Sequence, residues 1–307
     1  MSTAAPPLDD DNLLSEILLR LPPQPSSLPR ASAICKRWRL LLSDPAFSRR
    51  FRRHHRRNPP LLGFFVEDDD YLLSFQPTLE APNRVPPSRF SLQLDNGDWP
   101  ICPLGCLHGF VLMLDRNRNR VLVWNPSTGD YHYIAIPPGF DPTKAPINGA
   151  VLRSATGDIQ HFKVVLVVVD NTDELNRRIL VCVYSSETRL WGNLISAPIP
   201  YGSDVSRQPA VLVGESLYWT FVGSSLFIIE FDLDRQRLDM IQMPMSVFGL
   251  CFTVMRAEGG GLGFLYVSGF TAQLWKRKTD SDGVASWVMG AVIELDRLLS
   301  RTIRRFE

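Results

Sequence analysis

The chain has 307 residues, enough for two domains, and a globular composition of 45% hydrophobic and 21% charged residues. A formal net charge of +1 gives no whole-chain argument for nucleic-acid binding, and the longest apolar run, residues 164–169, is far shorter than the roughly 20 residues a membrane helix needs. Five widely spaced cysteines, an odd number, argue against a disulfide framework and for a reducing compartment, so a soluble protein of the cytoplasm or nucleus is expected. The N-terminus MSTAAPPLDDD carries no apolar signal core, and residues 1–7 are expected to be disordered.

A first helix is predicted where Leu13, Leu14, Ile17, Leu18 and Leu21 recur at steps of one, three and four. Asp9, Asp10 and Asp11 precede it, where carboxylates favour the positive end of a helix dipole, and Pro22-Pro23 ends it. A second helix opens at Ser26-Ser27, with Leu28, Ala31, Cys35, Trp38 and Leu42 on one face, spaced three, four, three, four. Asp44-Pro45 caps a third, bearing Phe47 and Phe51. Domains below about 40 residues usually need help to fold, so this greasy face requires cover from the rest of the chain or from a partner. Arg49 to Arg57, RRFRRHHRR, is the densest charge run. It reads first as a solvated helix end and second as an import or polyanion patch. Residues 1–60 hold eleven Lys/Arg against five acids, a balance of +6, which leaves −5 for the remainder. Asn58-Pro59-Pro60 marks the boundary between these two parts.

From Leu61 the helical period gives way to short β-branched and aromatic runs separated by turn residues, the signature of a sandwich, barrel or propeller. A repeat favours the propeller. VLVWNPSTGDYHYI, VCVYSSETRLWGNL, IIEFDLDRQRLDMI and AQLWKRKTDSDGVASWVM each pair an aromatic-ended strand with a polar turn and a returning strand. The aligned aromatics Trp124, Tyr184, Phe231 and Trp275 are 60, 47 and 44 residues apart, close to the ~40–50 residues of a four-stranded blade. GFVLML, SLYWTF and LGFLYV precede three of these hairpins as inner-strand candidates. Loops on a rigid scaffold carry recognition, so target contact is expected at the four equivalent turns, through Asn125, Asp130, Glu187, Arg189, Asp234, Arg235, Lys276 and Asp280.

LLSEILLRLPP followed by SLPRASAICKRWRLLLSDPAF resembles an F-box over roughly residues 8–50. The resemblance implies docking to a Skp-family adaptor, and through it to a cullin-RING ubiquitin ligase. It implies that Leu13, Leu14, Ile17, Leu18, Leu21 and Pro22 face the adaptor, with Ile34, Cys35, Lys36 and Trp38 at the family's apolar–Cys–Lys–x–Trp positions. The family often begins with Leu-Pro a few residues earlier, where this chain has Asp9-Asp10. WNPSTGDY, VYSSETRLW, LYW and FDLDRQRL, within about residues 104–299, resemble the β-rich C-terminal domain of plant F-box proteins. Relatives of that kind are expected to continue past ELDRLLS, which implies an incomplete ring here.

Cys102, Cys106 and His108 imitate three zinc ligands, but a structural site needs four and no second pair follows, so no metal is expected. Asp280, Asp282 and Gly283 imitate part of a calcium loop whose twelfth position is Ala291, and the acidic stretch of Glu67, Asp68, Asp69 and Asp70 reads as solvated loop. There is no G-x-S-x-G elbow, phosphate loop or H-E-x-x-H, so the chain is not expected to be an enzyme and no cofactor is expected.

The expectation is an α+β multidomain protein: a disordered 1–7, a three-helix F-box at 8–52, a basic linker at 53–60, and an all-β, propeller-like, kelch-like repeat domain at 61–307. Its expected role is to hold a target protein on the β domain for ubiquitination, with no nucleic-acid or membrane partner. The alternative is a stand-alone propeller that binds peptides or glycans, its helices packed in cis.

Overall fold

A computed structural model describes residues 10–55, 59–67, 73–92, 101–154, 161–173, 176–223, 226–244 and 252–296. The expected disorder of 1–7, the acidic residues Asp68 to Asp70, Arg56 and Arg57 of the basic run, and the C-terminal stretch from residue 297 lie outside them. The chain divides into two compact units, Met1–Asp95 and Asn96–Glu307.

The first unit begins with helix α1, Asp11–Leu19. The Asp10 carboxylate accepts hydrogen bonds from the amides of Asn12 (2.8 Å) and Leu13 (3.4 Å), satisfying two of the helix's free donors. Helix α2 spans Ser27–Ser32, α3 spans Lys36–Ser43 and α4 spans Pro45–His54, where Asp44 caps the Ala46 amide at 2.8 Å. The predicted second helix is therefore two helices. Cys35 is extended (φ −159°, ψ 167°), and the chain turns there between α2 and α3. The turn still delivers Ala31 and Leu42 to one core with Leu14, Leu18, Leu19 and Phe47, against which Leu28 and Trp38 pack. Spacing alone could not reveal the break, because the apolar positions on either side of it keep a helical rhythm.

A hairpin follows, β1 (Gly63–Glu67) against β2 (Leu73–Pro77), then a 3-10 turn at Pro87–Phe90. Phe75 joins them, lying 5.4 Å from Phe65 and 4.7 Å from Phe90 between ring centroids. Asn83 Oδ1 accepts from the Ser26 amide (3.1 Å) and hydroxyl (2.7 Å), which ties this segment to the start of α2. The hairpin thus belongs to the helical unit. The compact division falls at residues 95/96, not at the expected residue 61, because among the described residues these strands pair only with each other and their segment is anchored to the start of α2.

The second unit is all β. Its first sheet holds β3 (Ile101–Leu107), β4 (Phe110–Asp115), β5 (Arg120–Trp124) and β6 (Tyr131–Ala135). The second holds β7 (Ile147–Arg153), β8 (Phe162–Asp170), β9 (Arg178–Ser185) and β10 (Leu190–Trp191), with β11 (Ile195–Pro198) also on β9. In the third, β12 (Asp204–Val205) and β13 (Val211–Val213) both pair with β14 (Ser216–Val222), followed by β15 (Phe227–Asp232) and β16 (Arg237–Gln242). The fourth holds β17 (Phe252–Arg256), β18 (Leu262–Ser268), β19 (Thr271–Thr279) and β20 (Ala285–Glu294). Every pairing among the described strands is antiparallel, and apart from β9 with β11 and β12 with β14 it joins strands consecutive in the chain, the topology of propeller blades.

Trp124, Tyr184, Phe231 and Trp275 all stand on the third strand of their sheets, as the repeat requires. The expected inner strands are corrected: β4, β14 and β18 are second strands. First strands approach the neighbouring sheets instead, β3 against β7 and β13 against β17. β3 is hard to read from the sequence because its Pro103 and Gly105 dilute the apolar pattern.

Packing explains why β8 reads as an unbroken apolar run. Val164, Leu166 and Val168 enter the core shared with the first sheet, while Val165, Val167 and Val169 enter the core shared with the third. A strand alternates its side chains, so burial on both faces removes the polar half of the pattern. Gly149 of β7 faces the first of these cores, where an added Cβ would lie 2.7 Å from the Val165 carbonyl oxygen and 3.1 Å from Leu112. Between the third and fourth sheets, the Tyr218 hydroxyl donates to Glu230 (2.8 Å), which Arg277 of β19 approaches at 3.9 Å. Burial first, and then Glu230, push the Tyr218 phenol up to about 12.

Leu166→Ala should cost about 2–5 kcal/mol in urea unfolding of the β unit. Gly149→Val should cost about 1–3 kcal/mol through overpacking, whereas Val213→Thr on the half-exposed β13 should cost less than either.

Candidate docking and recognition surfaces

The helical core consumes part of the face expected to meet an adaptor. Leu14 and Leu18 are fully buried within the unit, so they present no surface to a partner, a correction to the sequence reading. Leu21 and Trp38 are half-buried against the same core. Leu13 (43% exposed), Ile17 (40%) and Ile34 (63%) remain in water, as do Pro22, Cys35 and Lys36. Leu40, 75% exposed, belongs with them and was missed because it falls off the spacing that defined the second helix.

Ion pairs hold these residues in place. Arg37 bonds Asp11 (2.7 Å), bringing the first turn of α1 beside the first turn of α3, so Leu13 and the Ile34–Lys36 segment come from adjacent ends. Arg50 of α4 bonds Glu16 and the Ser15 hydroxyl, fixing the middle of α1. These exposed pairs are worth at most about 1 kcal/mol each, so their contribution is mainly to orientation. Arg52, Arg53 and His54 sit in the last turn of α4, where cations complement the helix dipole.

In the β unit strand direction alternates. Turns joining first to second and third to fourth strands therefore fall on one rim, and the remaining turns and inter-sheet connections on the other. Seven of the eight sequence-predicted target residues lie in turns of the first rim, at the outer corner of each sheet; Lys276, expected in the fourth turn, instead lies within β19, paired with Gly263 and Val288. Several are committed to their own turns. Asn125 Oδ1 accepts the Ser127 amide (3.0 Å), and Asp280 Oδ1 accepts the amides of Asp282 (3.0 Å) and Val284 (2.8 Å). Arg189 and Gln236 adopt positive φ (58° and 50°) to close the equivalent corners. Lys276 pairs with Glu258 at 3.5 Å, and Arg235 lies 3.9 Å from Asp232. Asp130, Glu187 and Asp234 stand exposed in the same corners.

A cleft of about 580 Å³ opens on the opposite rim, and sequence reasoning did not find it. It is lined by Arg116 from the β4–β5 turn, Pro142 to Pro146 before β7, Asp204 to Gln208, Thr220 and Val222 at the end of β14, and Phe252 at the start of β17. Its residues lie far apart in the chain and share no motif, so only the fold assembles them.

The cysteine–histidine cluster is taken up by the fold. Cys102 and Cys106 lie in the β3–β4 ladder, and His108 occupies its turn at φ 53°, where its Nδ1 accepts the Arg153 amide (3.2 Å). Burial and then Arg153 push the imidazole below its ordinary value. Among the described residues, no group of three His, Cys, Asp or Glu gathers as a metal site.

The family model described as "F-box associated beta propeller domain" matches residues 70–281, and the model described as "F-box domain" matches residues 9–50. The chain belongs to the F-box-associated β-propeller family. Its relatives in Arabidopsis thaliana include a chain named as an F-box protein, At3g21120, 23% identical over 80% of this chain and 68% of the relative. Another is named as an F-box/kelch-repeat protein, At3g17540, 24% identical over 80% of this chain and 62% of the relative. The chain thus spans about three fifths to two thirds of the length of these curated relatives. Among solved structures, the WD40 domain of SCAP from fission yeast aligns with 72% of this chain and 61% of that one at 10% identity and a TM-score of 0.34, a likeness too low for inference.

The F-box match covers α1 to α3 and most of α4, so the buried–exposed division described above is a division within the F-box. Leu14→Asp should lose about 2–5 kcal/mol of packing even before the cost of a buried charge, and Ile17→Asp should stay within about 0.5 kcal/mol of wild type. Limited proteolysis mapped by mass spectrometry checks this. Leu14→Asp should expose cleavage sites throughout α1 to α4, and Ile17→Asp should leave them protected.

Proposed function

We propose that this chain is the target-recognition subunit of a Skp–cullin–F-box ubiquitin ligase, acting in the cytoplasm or nucleus. The F-box docks to a Skp-family adaptor, the β domain holds a target protein, and the bond-making chemistry belongs to other subunits. The observation that carries the reading is the apolar surface that a small helical unit leaves in water after completing its own core: Leu13, Ile17, Ile34 and Leu40. Patches of this kind mark interaction sites. The family membership supports the same reading. The mechanism is proximity, since one chain that holds both the ligase arm and the target raises their effective concentration without new contacts between them.

The test is capture by a purified Skp-family adaptor. Wild type should be captured, the double substitution Ile17→Asp/Ile34→Asp should lose at least tenfold in affinity, and Arg189→Ala in the β unit should behave as wild type. Equal capture of wild type and the double variant would contradict the proposal.

A further inference from the structure

We propose that the cleft opposite the outer hairpin corners is the target-docking site, and that it takes an extended peptide segment carrying an anionic side chain beside an apolar one. This deepens the ligase reading and rests on it for the role of the β domain as target holder. At about 580 Å³ the cleft falls within the roughly 300–1,000 Å³ of pockets that enclose a ligand.

Its charges favour an anion. Arg116, Lys144 and Arg207 stand against the single lining carboxylate of Asp204. Lys144 is shared with Asp141 at 3.5 Å, an exposed pair that water screens. Arg116 is half-buried, and its Nε is shielded from water with no hydrogen-bond partner. A shielded donor without a partner is costly, and an incoming carboxylate or phosphate oxygen would supply one. Arg207 is exposed and forms no ion pair among the described residues. Burial pushes the Asp204 carboxyl upward, opposed by the Val205 amide and by Arg177.

The rest of the lining is partly apolar and is held still. Pro142, Ala145, Pro146, Val205, Val222 and Phe252 supply the greasy wall. The segment carrying Arg207 is pinned from below: buried Asn148 donates to the carbonyls of Ser206 (2.7 Å) and Gln208 (2.8 Å). The Gln208 side chain bonds the Phe252 carbonyl (2.7 Å) and the Thr220 hydroxyl (3.2 Å), joining the third and fourth sheets across the cleft. Such prior ordering reduces the entropic cost of binding.

The experiment measures binding of the full chain to three degenerate heptapeptide pools by fluorescence polarisation, with fixed central glutamate, phosphoserine or lysine and a leucine two positions away. The glutamate or phosphoserine pool should bind at least tenfold more tightly than the lysine pool, and the tighter of the two identifies carboxylate or phosphate as the recognised group. Arg207→Glu, an exposed position that cannot unfold the sheet, should lose at least tenfold, as should Arg116→Gln, while Arg189→Ala on the other rim should bind as wild type. Equal binding of all three pools, or wild-type binding by Arg207→Glu, would overturn the assignment. Adaptor capture separates the two readings. If the acidic pools fail while the adaptor is still captured, the cleft falls and the ligase reading stands. If the acidic pools bind while the adaptor is not captured, the cleft stands and the ligase reading falls.

Discussion

Burial of β8 on both faces is the constraint on which the β unit depends. The strand contributes alternate side chains to two cores, so the first and third sheets are coupled through the second. The same division recurs along the chain: Leu217, Trp219 and Phe221 of β14 face one core while Tyr218 faces the next. Each fully buried aliphatic contributes about 1.5–3 kcal/mol as an upper estimate. Serial coupling of this kind makes the sheets a rigid stack and fixes where the turns lie, and the cleft exists only because four sheets hold their ends in register.

The helical unit obeys a different constraint. Four short helices offer more apolar surface than one small core can absorb. Leu14, Leu18, Ala31, Leu42 and Phe47 close that core, and Leu13, Ile17, Ile34 and Leu40 are what remains. The ion pairs Asp11–Arg37 and Glu16–Arg50 hold α1 against α3 and α4, so this remainder is presented on a fixed frame. The division of labour is thus one of packing: the same helix supplies core from one side and surface from the other.

Much of this was legible in the sequence, and the limits were physical. The repeat of Trp124, Tyr184, Phe231 and Trp275 gave the blades because one turn chemistry recurs at one place in each sheet. The first helix was legible through its period and the Asp10 cap. The break at Cys35 was hidden because helical spacing continues across it. Which of Leu13, Leu14, Ile17 and Leu18 would be core could not be read from a face that is apolar over so wide an arc. The cleft was invisible for a third reason: Arg116, Arg207 and Phe252 are ordinary residues until the sheets bring them together.

The account turns on the proposed docking role of the exposed residues of α1 and the α2–α3 junction. Amide hydrogen exchange of the full chain, with and without saturating purified Skp-family adaptor, tests it most directly. The account predicts slowed exchange in Asp11–Leu19 and around residues 34–40, with the sheets from Ile101 to Glu294 unchanged. Unchanged exchange in the helices, or slowing confined to the sheets, would contradict it.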